Sequence, residues 1–126
     1  MTRNILIVED TETAATTLEI ALSSIPDVSV VRVPNGRRAL EYLAPQNGHR
    51  IDAVVTDLDM PVLDGFELIR RLREQKRFAL LPIVVVSADT NPRTSERVRG
   101  LGADAYFTKP CSALEVQRRI QDLLGH

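Results

Sequence analysis

Five side chains in this sequence are of types that can do chemistry and sit where chemistry is usually positioned. They are Glu9 and Asp10 after the apolar run 5–8, Asp57 after the run 53–55, Ser87 after the run 83–86, and Lys109 after the segment 104–108. If these runs are neighbouring strands, residues far apart in sequence converge at one edge of a sheet. Adjacent strands lie about 4.8 Å apart, which brings Asp10 and Asp57 within reach of a single ion. Three carboxylates gathered there repel: two unit charges about 4 Å apart cost about 4 kcal/mol at an effective dielectric of about 20. Lys109 offsets part of that charge. An all-oxygen cluster without His or Cys suits a hard divalent cation that keeps some of its waters, Mg²⁺ or Mn²⁺.

A cation held in this way leaves positions open for a phosphoryl oxygen. Asp57 then reads as a nucleophile toward phosphorus, giving an acyl phosphate on the protein. The cation, Lys109 and the Ser87 hydroxyl would balance charge on the transferring group, and the small Ala88 leaves room for close approach. Taken singly these residues have plainer uses. Acidic residues after a strand cap helices, Asp favours turns such as the one before Pro61, and a strand-end Ser bonds to backbone. Lys109 is the more informative one, because only Lys76 and Lys109 among the sixteen basic residues are lysines. A compact ammonium can approach a phosphoryl oxygen as a point charge.

The elements that would position these groups follow from the patterning. Short apolar runs alternate with amphipathic stretches, which predicts a parallel sheet covered by helices on both faces. Strands are expected over 4–8, 28–33, 51–56, 82–87 and 104–108. Ala14/Leu18/Ala21/Leu22/Ile25, Phe66/Ile69/Leu72 and Ala113/Val116/Ile120/Leu123 recur at helical spacing. Asp64 with Glu67, and Ser112 with Glu115, have capping-box spacing, and Asn91-Pro92 places a cap before a first-turn proline. Between Arg93 and Arg99 the single large apolar residue is Val98, so a helix there has few core contacts and reads as a mobile element. Ser29, Arg32, Asp104 and Thr108 interrupt the second and fifth strands, which marks those two as edges. The prediction is a doubly wound, five-stranded parallel sheet of order 2-1-3-4-5, flavodoxin-like (βα)5, with its switch point between the first and third strands.

Composition narrows the class. The 126 residues suit one domain over 1–126, and 44% hydrophobic with 26% charged residues describes an aliphatic soluble fold. A net charge of −1 provides no general attraction to nucleic acid or anionic lipid. Cys111 has no partner for an internal disulfide, and no Cys/His spacing suggests zinc. The apolar run after Arg3 is too short for a signal peptide or membrane span. A cytoplasmic setting is the expectation. His49 and His126 are assigned to no site.

Four motifs, Glu9-Asp10, the stretch from Asp57 through Asp59-Met60-Pro61 to Asp64-Gly65, Ser87-Ala88 and Lys109-Pro110, stand in order at the predicted strand ends. Together they resemble the bacterial two-component response-regulator receiver family, over essentially the whole chain, as a stand-alone single domain. The resemblance implies that Asp57 is phosphorylated by a sensor histidine kinase or a histidine phosphotransfer protein. It also implies that Asp10, Asp57 and the main-chain carbonyl of Asp59 hold Mg²⁺, with Glu9 acting through water. Ser87 and Lys109 would contact the phosphoryl group, Tyr106 would be the switch aromatic, and the Lys109-Pro110 bond would be cis. Asp59 and Asp89 occupy positions that tune phosphoryl lifetime in receivers.

What the resemblance implies is a phosphoacceptor signalling domain of a phosphorelay, not an enzyme, that takes part in its own phosphorylation and dephosphorylation. The segment after Pro92, the strand 104–108 and the final helix would form its switching surface toward a downstream protein, and association of two copies through the face containing Tyr106 is a further implication. Two other readings compete. Asp57-x-Asp59 resembles the nucleophile and acid/base pair of aspartate-based phosphatases, and a receiver-like interaction module that is never phosphorylated would keep the fold without the chemistry.

Overall fold

The β-branched runs form five parallel strands: β1 (Arg3–Val8), β2 (Val28–Val33), β3 (Ala53–Thr56), β4 (Ile83–Ser87) and β5 (Ala105–Thr108). They make one sheet in the order β2-β1-β3-β4-β5, so the predicted topology and both predicted edges are observed. These features come from a computed structural model that describes residues 2–125, which leaves Met1 and His126 outside the described residues. β3 and β5 begin one or two residues later than the apolar pattern suggests, and the cause is visible. Asp52 Oδ2 accepts from the Asn4 N–H at 2.7 Å and Asp104 Oδ2 accepts from the Ile83 N–H at 2.8 Å. At each strand entry a carboxylate takes a backbone donor of the neighbouring strand.

Four α-helices connect successive strands, α1 (Glu12–Ser23), α2 (Gly36–Tyr42), α3 (Gly65–Arg73) and α4 (Pro92–Leu101), and α5 (Ala113–Leu123) follows β5. Because successive strand residues face opposite sides, the central strands divide their apolar residues between two cores. Leu6, Val8, Val54, Ile83 and Val85 pack on the side of α2, α3 and α4, with Ala39, Leu68, Ile69, Leu72 and Val98. Ile5, Ile7, Val55, Val84 and Val86 pack on the side of α1 and α5, with Leu18, Leu22, Val116 and Ile120.

The helix starts are where the sequence signals point, but neither predicted capping box closes, and Glu115 makes no side-chain hydrogen bond among the described residues. Asp64 Oδ1 accepts from the Glu67 N–H at 2.9 Å, Asn91 Oδ1 from Arg93 at 3.0 Å, and Ser112 Oγ from Leu114 at 3.2 Å. The return half of the capping box at Asp64 is replaced, because Glu67 reaches forward to the Arg70 and Arg71 guanidinium groups. A cation three or four residues on is a stronger partner for a carboxylate than a main-chain N–H. α2 was not announced by a stripe, since in seven residues only Gly36 and Ala39 are buried. In α4 the one buried residue is Val98, in keeping with its sparse apolar pattern. No helix among the described residues is long and apolar enough to cross a membrane.

Candidate functional site

The ladders continue one residue past the strand ends, and this is what aims the chemistry-bearing residues into a common crevice. The Glu9 N–H donates to the Val33 carbonyl at 3.1 Å, Asp57 N–H to Val8 at 3.1 Å, and Lys109 N–H to Ser87 at 2.7 Å. Glu9, Asp10, Asp57, Ser87 and Lys109 thereby meet at the carboxyl edge of β1, β3, β4 and β5, beside the switch point between β1 and β3. One carboxylate oxygen each from Glu9, Asp10 and Asp57 lies within 4.8 Å of the other two. Three oxygens so close, with no nitrogen or sulfur ligand in the group, fit a hard divalent cation.

Asp57 is 9% exposed, so it is reachable yet firmly held. Its Oδ1 accepts from the Leu58 N–H at 2.6 Å and the Asp59 N–H at 3.3 Å, while Oδ2 accepts from Lys109 Nζ at 3.1 Å. The two main-chain donors fix the plane of the carboxylate. The lysine leaves Oδ2 with one partner, on a side chain that can move. Gly65 makes this arrangement spatially feasible, since a Cβ there would stand 2.3 Å from the Asp57 carbonyl oxygen and 2.8 Å from Leu58 Cα. The β3–α3 loop also holds Val62 at φ 73°, an unfavourable backbone for a β-branched residue, where Leu63 N–H closes onto the Pro61 carbonyl at 2.8 Å.

Glu9 is the most enclosed acid of the site, at 2% exposure. Its Oε1 accepts from Lys109 Nζ at 2.8 Å and Oε2 from the Thr11 N–H at 3.2 Å. Burial pushes the Glu9 carboxyl up, and the bonds from Lys109 and Thr11 only partly counter it. Burial alone would lower the Lys109 ammonium, but its bonds to Glu9 and Asp57 outweigh that and raise it. Lys109 is therefore a firmly charged bridge between two of the three acids. Glu9, read from sequence as acting through water, has direct lysine and backbone partners. The backbone of its loop has a further partner that sequence reasoning missed: Arg32, on β2, donates to the main-chain carbonyls of Glu9 and Asp10. The signal was a charged residue interrupting the strand beside β1.

Ser87 is fully buried and its Oγ accepts from the Asp89 N–H at 3.2 Å. Tyr106 Oη donates to the Asp89 carbonyl at 2.6 Å, and burial pushes its phenol up. The Lys109-Pro110 peptide bond is cis, as the motif implied. Two acids behave differently from the cluster. Asp59 is exposed and its carboxylate is outside the three-acid group, leaving only its backbone beside Asp57. Asp89 turns toward α4, where its carboxylate accepts from the Asn91 N–H at 2.8 Å and the Thr94 hydroxyl at 2.7 Å. His49 stacks on Tyr42, centroids 3.9 Å apart, away from the site.

Comparison with known proteins agrees with this geometry. The family model described as the response regulator receiver domain matches residues 5–121. The chain is 34% identical over 123 residues to the sensor histidine kinase TmoS of Ectopseudomonas mendocina, covering 96% of this chain and 12% of that protein. It is 33% identical over 123 residues to the response regulator GtcR of Aneurinibacillus migulanus, covering 96% and 47%. The signal receiver domain of a signal transduction histidine kinase from Syntrophus aciditrophicus superposes with a TM-score of 0.86 at 32% identity, over 98% of this chain and 90% of that one. The chain spans about half or less of the length of these two curated relatives.

Proposed function

Because this chain belongs to the response regulator receiver family of two-component systems, we propose that Asp57 is its phosphoacceptor and that Glu9, Asp10, Asp57, Ser87 and Lys109 are the groups that carry the transfer. The observation that bears most weight is the Asp57 carboxylate itself. Oδ1 is pinned by two main-chain N–H groups while Oδ2 faces Lys109 within a cluster of three acids. That arrangement fixes a nucleophile beside one cation, Lys109, and beside acids that could hold a second, the positive partners an anionic phosphoryl group requires.

In the transfer an Asp57 oxygen forms the new O–P bond as the P–N bond of a phosphohistidine donor breaks, and the electron pair of that bond returns to the imidazole. Lys109 Nζ, freed from part of its contact with Asp57, follows the phosphoryl oxygens. Ser87 Oγ turns from the Asp89 N–H to donate to another of them. Glu9, Asp10, Asp57 and the main-chain carbonyl of Asp59 would hold Mg²⁺, or Mn²⁺ in its place, which when bound neutralises charge on the phosphoryl oxygens. Hydrolysis returns the carboxylate, with water taking the phosphoryl group.

The switching surface follows from the same contacts. Ser87 Oγ and Tyr106 Oη both end on the backbone of Asp89, so moving the serine changes the loop that carries α4. With Val98 as its one buried residue, α4 buries the fewest residues of the five α-helices, and α4, β5 and α5 would present the change to a downstream protein. A sensor histidine kinase or histidine phosphotransfer protein is the donor this chemistry calls for. A cytoplasmic setting accompanies that reading, and the unpaired Cys111 accords with it.

Incubation with acetyl phosphate and Mg²⁺, followed by intact-mass analysis, tests the assignment. The expected result is one phosphoryl adduct on the native protein, absent with EDTA and absent in Asp57→Asn. An adduct that persists in Asp57→Asn, or many turnovers of unrelated phosphoesters, would overturn it.

A further inference from the structure

Arg32 stands near the carboxyl end of β2, in register with Ile7 of β1, and its side chain crosses to the acidic loop. Its Nε donates to the main-chain carbonyl of Glu9 at 3.1 Å and its Nη2 to that of Asp10 at 3.3 Å. These two residues fall between the end of β1 at Val8 and the start of α1 at Glu12, and Thr11, the N-cap, makes no side-chain cap bond. The ladder bond from the Glu9 N–H to Val33 holds one end of this stretch, but among the described residues no other backbone–backbone hydrogen bond reaches Glu9 or Asp10, which supply two of the three acids. Repulsion among Glu9, Asp10 and Asp57 favours splaying it outward. With both carbonyl oxygens tied toward β2, the two carboxylates are left facing β3.

We propose that Arg32 is a positioning residue: its guanidinium clamps the Glu9 and Asp10 carbonyls so that their carboxylates stay gathered with Asp57 to receive a divalent cation. The inference rests on the metal site proposed above and adds the residue that preorganises it. Arginine suits the task because its rigid planar fork presents several donors at once, whereas a lysine ammonium would hold one carbonyl well. The same positive charge would, acting through space alone, repel a cation. Positioning and bare charge thus push the affinity in opposite directions, and the sign separates them.

The test titrates the full chain with Mn²⁺ alone, following free Mn²⁺ by electron paramagnetic resonance, in the native protein, Arg32→Met, Arg32→Lys and Asp57→Asn. Native binding that weakens in Asp57→Asn is expected. Arg32→Met should raise the Mn²⁺ Kd about tenfold, the lower end of what losing a partner of the ligating residues costs. Arg32→Lys keeps the charge and the aliphatic stem, so it should fall between the two with its thermal midpoint unchanged. In metal-free protein, the Asp10 and Thr11 amides should exchange faster in Arg32→Met. Unchanged or tighter Mn²⁺ binding in both Arg32 variants, beside normal native binding, overturns the clamp and leaves the metal site standing. Native protein without Asp57-dependent binding overturns both.

Discussion

The Tyr106 hydroxyl and the Asp89 main-chain carbonyl are joined by a 2.6 Å hydrogen bond, which ties the edge strand β5 to the loop leading into α4. The same loop is held from its other side by Ser87 Oγ. Two side chains from different strands thus hold the Asp89 backbone from which α4 is approached. Tyr106→Phe removes one of them and is expected to cost about 1 kcal/mol in urea unfolding. Hydrogen exchange should rise at the amides of 89–94 and stay level in β1 and β3. A uniform rise across the sheet would contradict this local role.

Asp89 anchors the start of α4 through Asn91 and Thr94, and the Asn91 N–H bond, followed by that from Thr94, holds its carboxyl below the ordinary value of 3.8. A carboxyl lowered on folding contributes stability that is present above its unfolded value and disappears as pH falls through the folded one. Exchange protection at Asn91 and Arg93 is therefore expected to be steady from neutral pH to about 4 and to drop below it. In Asp89→Asn the acid-side drop at these amides should vanish.

Lys109 is the cation shared by Glu9 and Asp57. Lys109→Met leaves Glu9 enclosed without its counter-charge and is expected to destabilise the metal-free protein by about 1–3 kcal/mol. A divalent cation takes over that neutralisation, so the urea midpoint should recover as Mg²⁺ is added, with a larger gain than in the native protein. An equal gain in both would show that Lys109 and the cation do not share the same acids.

Two glycines should respond in opposite ways to alanine. At Gly65 the added Cβ would meet the Asp57 carbonyl and the Leu58 Cα, both backbone, so the β3–α3 loop must shift. Gly65→Ala is expected to lose about 3 kcal/mol, the upper range for overpacking, and to slow phosphorylation by acetyl phosphate. At Gly100 in α4 a Cβ meets nothing within 4 Å. Gly100→Ala is expected to add about 0.5–1 kcal/mol by relieving the conformational entropy cost of glycine in a helix. Denaturant unfolding of the two variants checks both signs.

Much of this protein is legible in one dimension. The alternation of runs such as Ile5–Val8 with helical stripes determines a parallel sheet, because each strand residue must choose one of two faces and each helix must bury one stripe. Polar interruptions mark β2 and β5 as edges, and the acids, serine and lysine fall at strand ends that any such sheet brings together. Short or weakly patterned elements were less legible: α2 buries too little to show a stripe.

Tertiary structure alone decided which partners the polar groups take. Lys109 could be placed near the acids from sequence, but its bridge between Glu9 and Asp57 is a matter of about 3 Å geometry. The forward turn of Glu67 to its arginines, the turn of Asp89 toward α4 and the reach of Arg32 to the Glu9 and Asp10 carbonyls are choices of the same kind. Hydrophobic burial is non-directional and leaves a periodic trace along the chain, whereas a hydrogen bond depends on distance and angle between groups that only the assembled fold brings face to face.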